Sequence, residues 1–291
     1  MSTEGRAAAF FLTPALVVLI VFFFVPVIAG FALSVTDFDL YSIGDLHNLR
    51  FVAFHNYAEV LKNRVFWTAF FNTLYFSVVG GPLTVAASLA GALLVNARAA
   101  KWKPIFRTIY FAPVVTTLVA VAMVFRFLYH PRFGVINLIL DRMGLPVVDW
   151  LGDPRFAMPA IVIFAVWKNF GYNVIIFIAG LQNIPEELYE AARIDGAGEW
   201  RQFRHVTLPM LGPTFLFVGT VTAIGYLQLF AEPYVMTRGG PVNKTLSAVM
   251  LMYQQGFKWW RMGYAAAIAF LLFLVIGAAT MLQMRLQERR R

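Results

Sequence analysis

The chain has 291 residues, of which 60% are hydrophobic, 13% are charged and 29 are Phe. A soluble domain carries about 25% charged residues, so most of this surface faces something other than water. The net charge of +9 is not gathered on one stripe, as it would be in a nucleic-acid-binding protein. The Lys and Arg residues stand at the ends of long uncharged runs, where lipid headgroups hold them. With no cysteine, disulfides, thiolate metal sites and a Cys nucleophile are excluded.

The first element is the uncharged stretch from Ala7 to Thr36 that follows Arg6. It exceeds the roughly 7–15 residues of a signal h-region and reads as a retained membrane span. A helix needs about 20 apolar residues to cross the hydrocarbon. Spans are expected at residues 8–35, 66–96, 105–128, 157–181 (interrupted by Lys168), 208–232 and 262–284. The expected fold is all-α, a single polytopic transmembrane domain over 1–291 with six helices. Sheets are excluded because an open edge has no hydrogen-bond partner in lipid, and no segments alternate as barrel strands do. Gly80, Gly81 and Pro82 predict a break or kink in the second helix, and Pro26 and Pro113 predict bends.

Six spans put both termini on one side. That side carries twelve Lys/Arg: Arg6, the short loop with Arg98, Lys101, Lys103 and Arg107, then Arg193, Arg201 and Arg204, and four arginines in the tail Arg285–Arg291. The other side spreads eleven over three longer loops. The denser side is cytoplasmic by the positive-inside rule, so both termini are expected in the cytoplasm of a prokaryotic cell with the protein in its inner or plasma membrane.

The connection over 184–209 is unlike an ordinary loop. Pro185 followed by Glu186 and Glu187 starts a helix, with acids near the positive end of the dipole. Leu188, Ala191, Ala192 and Asp195 recur at helical spacing, a narrow ridge shaped to enter a partner's groove. Gly196 and Gly198 stop the helix. A second short helix, with Trp200, Phe203 and Val206 on one side, leads to Pro209. An amphipathic helix on the headgroups is the alternative, but such helices are Lys/Arg-rich on their polar face. This one carries Glu186, Glu187 and Glu190 against Arg193 alone.

Glu190-Ala191-Ala192, three residues, Gly196, nine residues and Val206-Thr207-Leu208-Pro209 resemble the EAA loop of ABC-importer permeases. The one departure is Val206 where Ile is usual. Phe54-His55-Asn56-Tyr57, Trp150-Leu151-Gly152-Asp153-Pro154, Asn183-Ile184-Pro185, Asp195-Gly196-Ala197 and Gly239-Gly240-Pro241 extend the resemblance over nearly the whole chain. They are similar to the carbohydrate-uptake branch, with its maltose-type F and glycerol-3-phosphate-type A subunits. The resemblance implies a coupling helix between spans four and five, in which Leu188, Glu190, Ala191, Ala192, Asp195 and Gly196 meet an ATPase. It also implies a second, different permease subunit, two ATPase subunits and an extracytoplasmic sugar-binding protein. The chain has no Gly-x4-Gly-Lys-Ser/Thr loop, so it is read as a transport subunit driven by a partner, with no cofactor and no catalytic residue of its own.

The sugar path is expected near mid-membrane. The polar residues of span four are Lys168, Asn169, Tyr172 and Asn173, and those of span five are Thr222, Tyr226 and Gln228 beside Gly225. Lys168 lies about 18 Å into its helix at 1.5 Å per residue. A lysine at that depth points into a cavity or bonds a neighbour's carbonyls. The resemblance places Asn169, Tyr172, Thr222, Gly225, Tyr226 and Leu229 at sugar-contacting positions. Gly239-Gly240-Pro241 is a candidate contact for the binding protein, and Trp259-Trp260 an interfacial anchor. The four histidines show no metal-ligand spacing.

A permease for glycerol-3-phosphate or a related polyol is the alternative reading, although a phosphate needs cations and Lys168 is the only one deep within a span. An ion-coupled secondary transporter predicts inverted repeats and intramembrane carboxylates. A membrane enzyme predicts converging acid-base or metal residues. The sequence shows neither set.

Overall fold

The computed structural model describes residues 3–39, 42, 49–96 and 103–288. Arg98, Lys101 and Arg289, Arg290 and Arg291 of the expected basic flanks lie outside them. The described residues are helical throughout, apart from loops and one isolated bridge between Thr36 and Phe51. Four helices are long and apolar enough to cross a membrane: Phe10–Ser34, Arg64–Asn96, Ala157–Gln182 and Met262–Arg285. Two further segments qualify only as bent pairs. Thr108–Val115 and Leu118–Leu128 meet at 104°, and Glu199–Met210 and Gly212–Leu227 meet at 65°.

In chain order the α-helices are α1 (Thr3–Leu19), α2 (Val25–Ser34), α3 (His55–Lys62), α4 (Arg64–Tyr75), α5 (Gly81–Asn96), α6 (Lys103–Val115), α7 (Leu118–Leu128), α8 (Val135–Arg142) and α9 (Ala157–Gln182). After these come α10 (Glu186–Ile194), α11 (Glu199–Gln202), α12 (Leu208–Met210), α13 (Gly212–Leu227), α14 (Ala231–Met236), α15 (Ala248–Tyr253) and α16 (Met262–Glu288).

Prolines shape the spans in a way the sequence did not reveal. π-helical turns occupy Ile20–Phe24, Phe76–Gly80 and Phe203–Thr207, and each ends two residues before a proline: Pro26, Pro82 and Pro209. A proline lacks the N–H that would bond the carbonyl four residues back and pushes that carbonyl aside. Each such carbonyl, at Phe22, Val78 and His205, falls inside a π turn. Widening the helix by one residue absorbs the mismatch. The expected break at Gly80-Gly81-Pro82 is therefore a widened turn in a span that runs on for 33 residues. Pro113 has no such turn, and α6 stops two residues after it.

Two compact units divide the chain: Met1–Phe66 with Leu251–Leu274, and Trp67–Met250 with Val275–Arg291. In the first, Asn56 Nδ2 donates to the carbonyls of Ser34 (2.9 Å) and Thr36 (2.8 Å), closing the end of α2. Tyr57 Oη and Ser34 Oγ lie 2.7 Å apart, and Arg261 Nη2 meets both Glu59 carboxylate oxygens at 2.7 Å. In the second, α9 is the central helix, packed on α5 and α6. Lipid tails are as apolar as leucine, so these helices are held by close packing. Glycines supply it at one point above all: a Cβ on Gly171 would be driven into the Tyr110 carbonyl oxygen.

Candidate functional site

The polar residues expected to form a sugar path come together around α9 and α13, but they divide into two groups. Lys168, Thr222, Tyr226 and Leu229 are buried within the chain; Tyr172, Gly225 and Gln228 are exposed and Asn169 is half-buried. Tyr226, 5% exposed, stacks on Phe76 with ring centroids 4.7 Å apart. Its hydroxyl lies 2.5 Å from Thr84 Oγ1 and within reach of the Asn169 side chain. Asn173 Nδ2 donates to Thr222 Oγ1 at 3.1 Å. Ser88 Oγ donates to the carbonyls of Thr84 (2.6 Å) and Phe170 (2.9 Å). These bonds tie α5, α9 and α13 to one another, which is what buried hydroxyls in lipid require.

Lys168 resolves into the second of its two expected roles. Only 6% exposed, it donates from Nζ to the carbonyls of Pro113 (2.5 Å) and Val114 (3.2 Å). Those carbonyls belong to the last turn of α6, where no intrahelical donor follows, and a cation there also suits the helix dipole.

The 184–209 connection forms the expected helix pair. Pro185 sits just before the first helical residue, and α10 carries Glu186 and Glu187 in its first turn and Arg193 in its last. Arg193 Nη2 donates to Glu186 Oε1 at 2.5 Å. Gly196 has φ of +74°. Its N–H bonds the Arg193 carbonyl (3.1 Å) while the Ala197 N–H bonds Ala192 (2.8 Å), the paired bonds of a Schellman turn. Gly198, at φ −67°, precedes α11 in ordinary extended backbone. Leu188, Glu190, Ala191 and Asp195 are exposed, and Ala192 is half-buried. Sequence spacing missed Ile194, which at 86% exposure is the most open apolar side chain of α10. A hydrophobe at the last helical position, two residues before a glycine stop, was the available signal.

Buried contacts fix this helix pair to the foot of α13. Tyr189 and Val206 pack on a core of Ile184, Leu181 and Leu211. The chain then enters α13 through a 65° bend at the fully buried Leu211, not along one straight axis.

The remaining stretches behind the resemblance are held by local hydrogen bonds. Asn137, 2% exposed, accepts from Trp150 Nε1 (3.1 Å) and Val148 N (3.2 Å) and donates to the Val148 carbonyl (2.8 Å). The Arg155 guanidinium hydrogen-bonded to Asp153 holds that carboxyl below its ordinary range. Thr245 Oγ1 donates to the Gly240 carbonyl at 2.6 Å, and Asn72 Nδ2 donates to the carbonyls of Asn243 (2.7 Å) and Leu246 (2.9 Å). These bonds hold the turn after Gly239-Gly240-Pro241, with Val242 projecting from it. No group of three or more metal-ligating side chains occurs among the described residues.

The chain has known counterparts. It is 34% identical over 278 residues to the probable ABC transporter permease protein YurN of Bacillus subtilis, covering 94% of each chain. It is 35% identical to the lactose transport system permease protein LacF of Rhizobium radiobacter, covering 94% of this chain and 91% of that one. Against the trehalose/maltose transport system permease protein MalF of Thermococcus litoralis the identity is 33%, over 99% and 96%. A subunit of a bacterial alginate ABC transporter, solved in complex with an alginate-bound periplasmic protein, shares the fold with a TM-score of 0.82 at 21% identity, over 98% and 95%. Residues 83–291 match the family described as binding-protein-dependent transport system inner membrane component. Since that match takes in α10 to α13 together with the polar bundle around α9, the chain belongs to this family of ABC-importer permeases.

Proposed function

We propose that the chain is one of two different permease subunits of an ABC importer for a neutral mono- or oligosaccharide. It crosses the inner membrane six times, each bent pair counting as one span, with both termini in the cytoplasm. Two ATPase subunits seat on Leu188–Gly196 of this chain and on its counterpart, and an extracytoplasmic binding protein delivers the sugar. The observation that carries this reading is the exposed ridge of Leu188, Ala191 and Asp195, joined by buried contacts to the foot of α13. A surface helix fixed to a transmembrane helix transmits a pull; a loose one does not.

The sugar class is supported by the arabino-oligosaccharide, lactose and trehalose/maltose systems to which relatives belong. It is also supported by Lys168: its ammonium is taken up by the Pro113 and Val114 carbonyls, which disfavours glycerol-3-phosphate. Asn169, Tyr172, Gly225 and Gln228 line the path, and Thr222, Tyr226 and Leu229 form the wall behind them.

The test is purification of the complex with its neighbouring subunits, followed by uptake of labelled maltose, trehalose and lactose in proteoliposomes. Retention of an ATPase and ATP-dependent uptake of at least one sugar are expected. Excising Leu188–Gly196 is expected to abolish both; intact uptake after the excision overturns the reading.

A further inference from the structure

We infer that the break between α6 and α7, at Thr116 and Thr117, lines the water-filled part of the sugar path and presents the Thr117 hydroxyl to the passing solute. This rests on the proposed function and adds a stretch of wall to it.

Depth comes first. The uncharged part of α6, Thr108–Val115, rises about 12 Å at 1.5 Å per residue, under half of a hydrocarbon layer about 30 Å thick. The helix then stops, Thr116 and Thr117 are non-helical, and the chain turns by 104° into α7. Non-helical backbone at that depth is tolerated only when buried in protein or lining water. Val115, Thr116 and Thr117 are all exposed on this chain, which removes burial within the subunit.

Chemistry then separates the inner side of the break from the outer. On the inside, Lys168 takes the Pro113 and Val114 carbonyls, and Thr116 Oγ1 donates to Pro113 at 2.7 Å. On the outside, Thr117 stands before α7 with its side chain making no capping bond. Two of the α9 residues that meet α6 are Lys168, at the Pro113 and Val114 carbonyls beside the break, and Gly171, at the Tyr110 carbonyl. Asn169 and Tyr172 follow each by one residue, about 100° around the helix, and so flank that contact. The half-buried amide therefore stands near the depth of the break, and the exposed phenol about 4.5 Å further along α9 at 1.5 Å per residue. A hydroxyl, a backbone edge, an amide and a phenol within about one helical turn suit a neutral polyhydroxyl solute, whose rim needs donors and acceptors and whose face needs an aromatic ring.

The chain has no cysteine, which makes single-cysteine variants clean reporters once native cysteines of the partner subunits are replaced. Thr116→Cys and Thr117→Cys are made in the assembled complex. Each is treated with a hydrophilic cationic thiosulfonate and, separately, with membrane-soluble N-ethylmaleimide. Thr117→Cys is expected to react with the hydrophilic reagent at least tenfold faster than the cysteine-free parent background, and the adduct is expected to cut ATP-dependent uptake at least fivefold. Thr116→Cys is the second variant, in case one replacement disturbs assembly. Reaction with N-ethylmaleimide alone at both positions places the break against lipid and overturns the inference. Reaction with neither places it against protein and does the same, as does an adduct at Thr117 that leaves uptake unchanged. Loss of the ATPase from the wild-type complex sinks the proposed function instead, while the labelling pattern still reports which medium the break faces.

Discussion

Tyr189 Oη on α10 lies 2.9 Å from Thr207 Oγ1 in the π turn that leads to α13. Thr207 is buried and Tyr189 half-buried, so this hydrogen bond is shielded from competing water, and it spans the joint through which the proposed coupling motion would pass into α13. It touches none of the exposed ridge. Tyr189→Phe and Thr207→Val each remove about 1 kcal/mol, roughly a fivefold bias toward the joined geometry. The ATPase is expected to copurify at wild-type levels while uptake per ATP hydrolysed falls about two- to fivefold. Proportional loss of ATPase recovery and uptake would show instead that the ridge itself had been damaged.

The two glycines after α10 make a controlled pair. A Cβ on either meets no atom within 4 Å, so space does not distinguish them, but φ does: +74° at Gly196 against −67° at Gly198. A left-handed residue with a side chain costs about 1 kcal/mol, less for Asn than for Ala. Gly196→Ala is expected to reduce ATPase retention several-fold, and Gly196→Asn to recover much of it. Gly198→Ser, which supplies a favourable N-cap to α11, is expected to match the wild type in the same pull-down. Equal loss at both positions would remove the left-handed turn from the explanation.

The glycine stop could be read from sequence because its physics is local: a periodic helix, acids at its start, a residue able to take positive φ at its end. Lys168 was half legible. Its depth demanded a partner, but not which carbonyls would serve, since those come from a distant helix end, with Val114 54 residues away in sequence. A bend near Pro113 was legible, but that it is a full break at Thr116-Thr117 was not, because apolar character continues across it. The proline signal at Pro113 resembles those at Pro26 and Pro82, which the helix absorbs by widening. The burial of Thr222 and Tyr226 was illegible for another reason. Both sides of a membrane helix are apolar, so periodicity does not separate a residue that ties helices together from one that faces a path.

Lys168→Met distinguishes capping from sugar contact. It leaves the Pro113 carbonyl with the Thr116 hydroxyl alone and the last turn of α6 without its cation. The loss of a charge-assisted bond is about 1.5–3 kcal/mol. The thermal midpoint of the detergent-solubilised complex is expected to fall by several degrees, with the apparent KM for uptake unchanged in the fraction that survives. A raised KM at unchanged thermal stability would return Lys168 to the sugar site.

Glycines on the two central helices separate packing from path. Gly171→Ala on α9 drives a methyl into the Tyr110 carbonyl oxygen, and that atom belongs to backbone, which does not give way as a flexible side chain would. Overpacking costs about 1–3 kcal/mol and sometimes more, so membrane-inserted, ATPase-bound complex is expected to fall at least fivefold by quantitative immunoblot. Gly225 on α13 is exposed, and an added Cβ meets nothing within 4 Å, so Gly225→Ala is expected to assemble normally. If that open space is part of the sugar path, filling it with Gly225→Trp removes uptake while the amount of complex and its basal ATP hydrolysis persist. Undiminished uptake by Gly225→Trp would mean that this face of α13 meets lipid or the second permease, and the path would then have to run along Asn169, Tyr172 and the Thr116-Thr117 break.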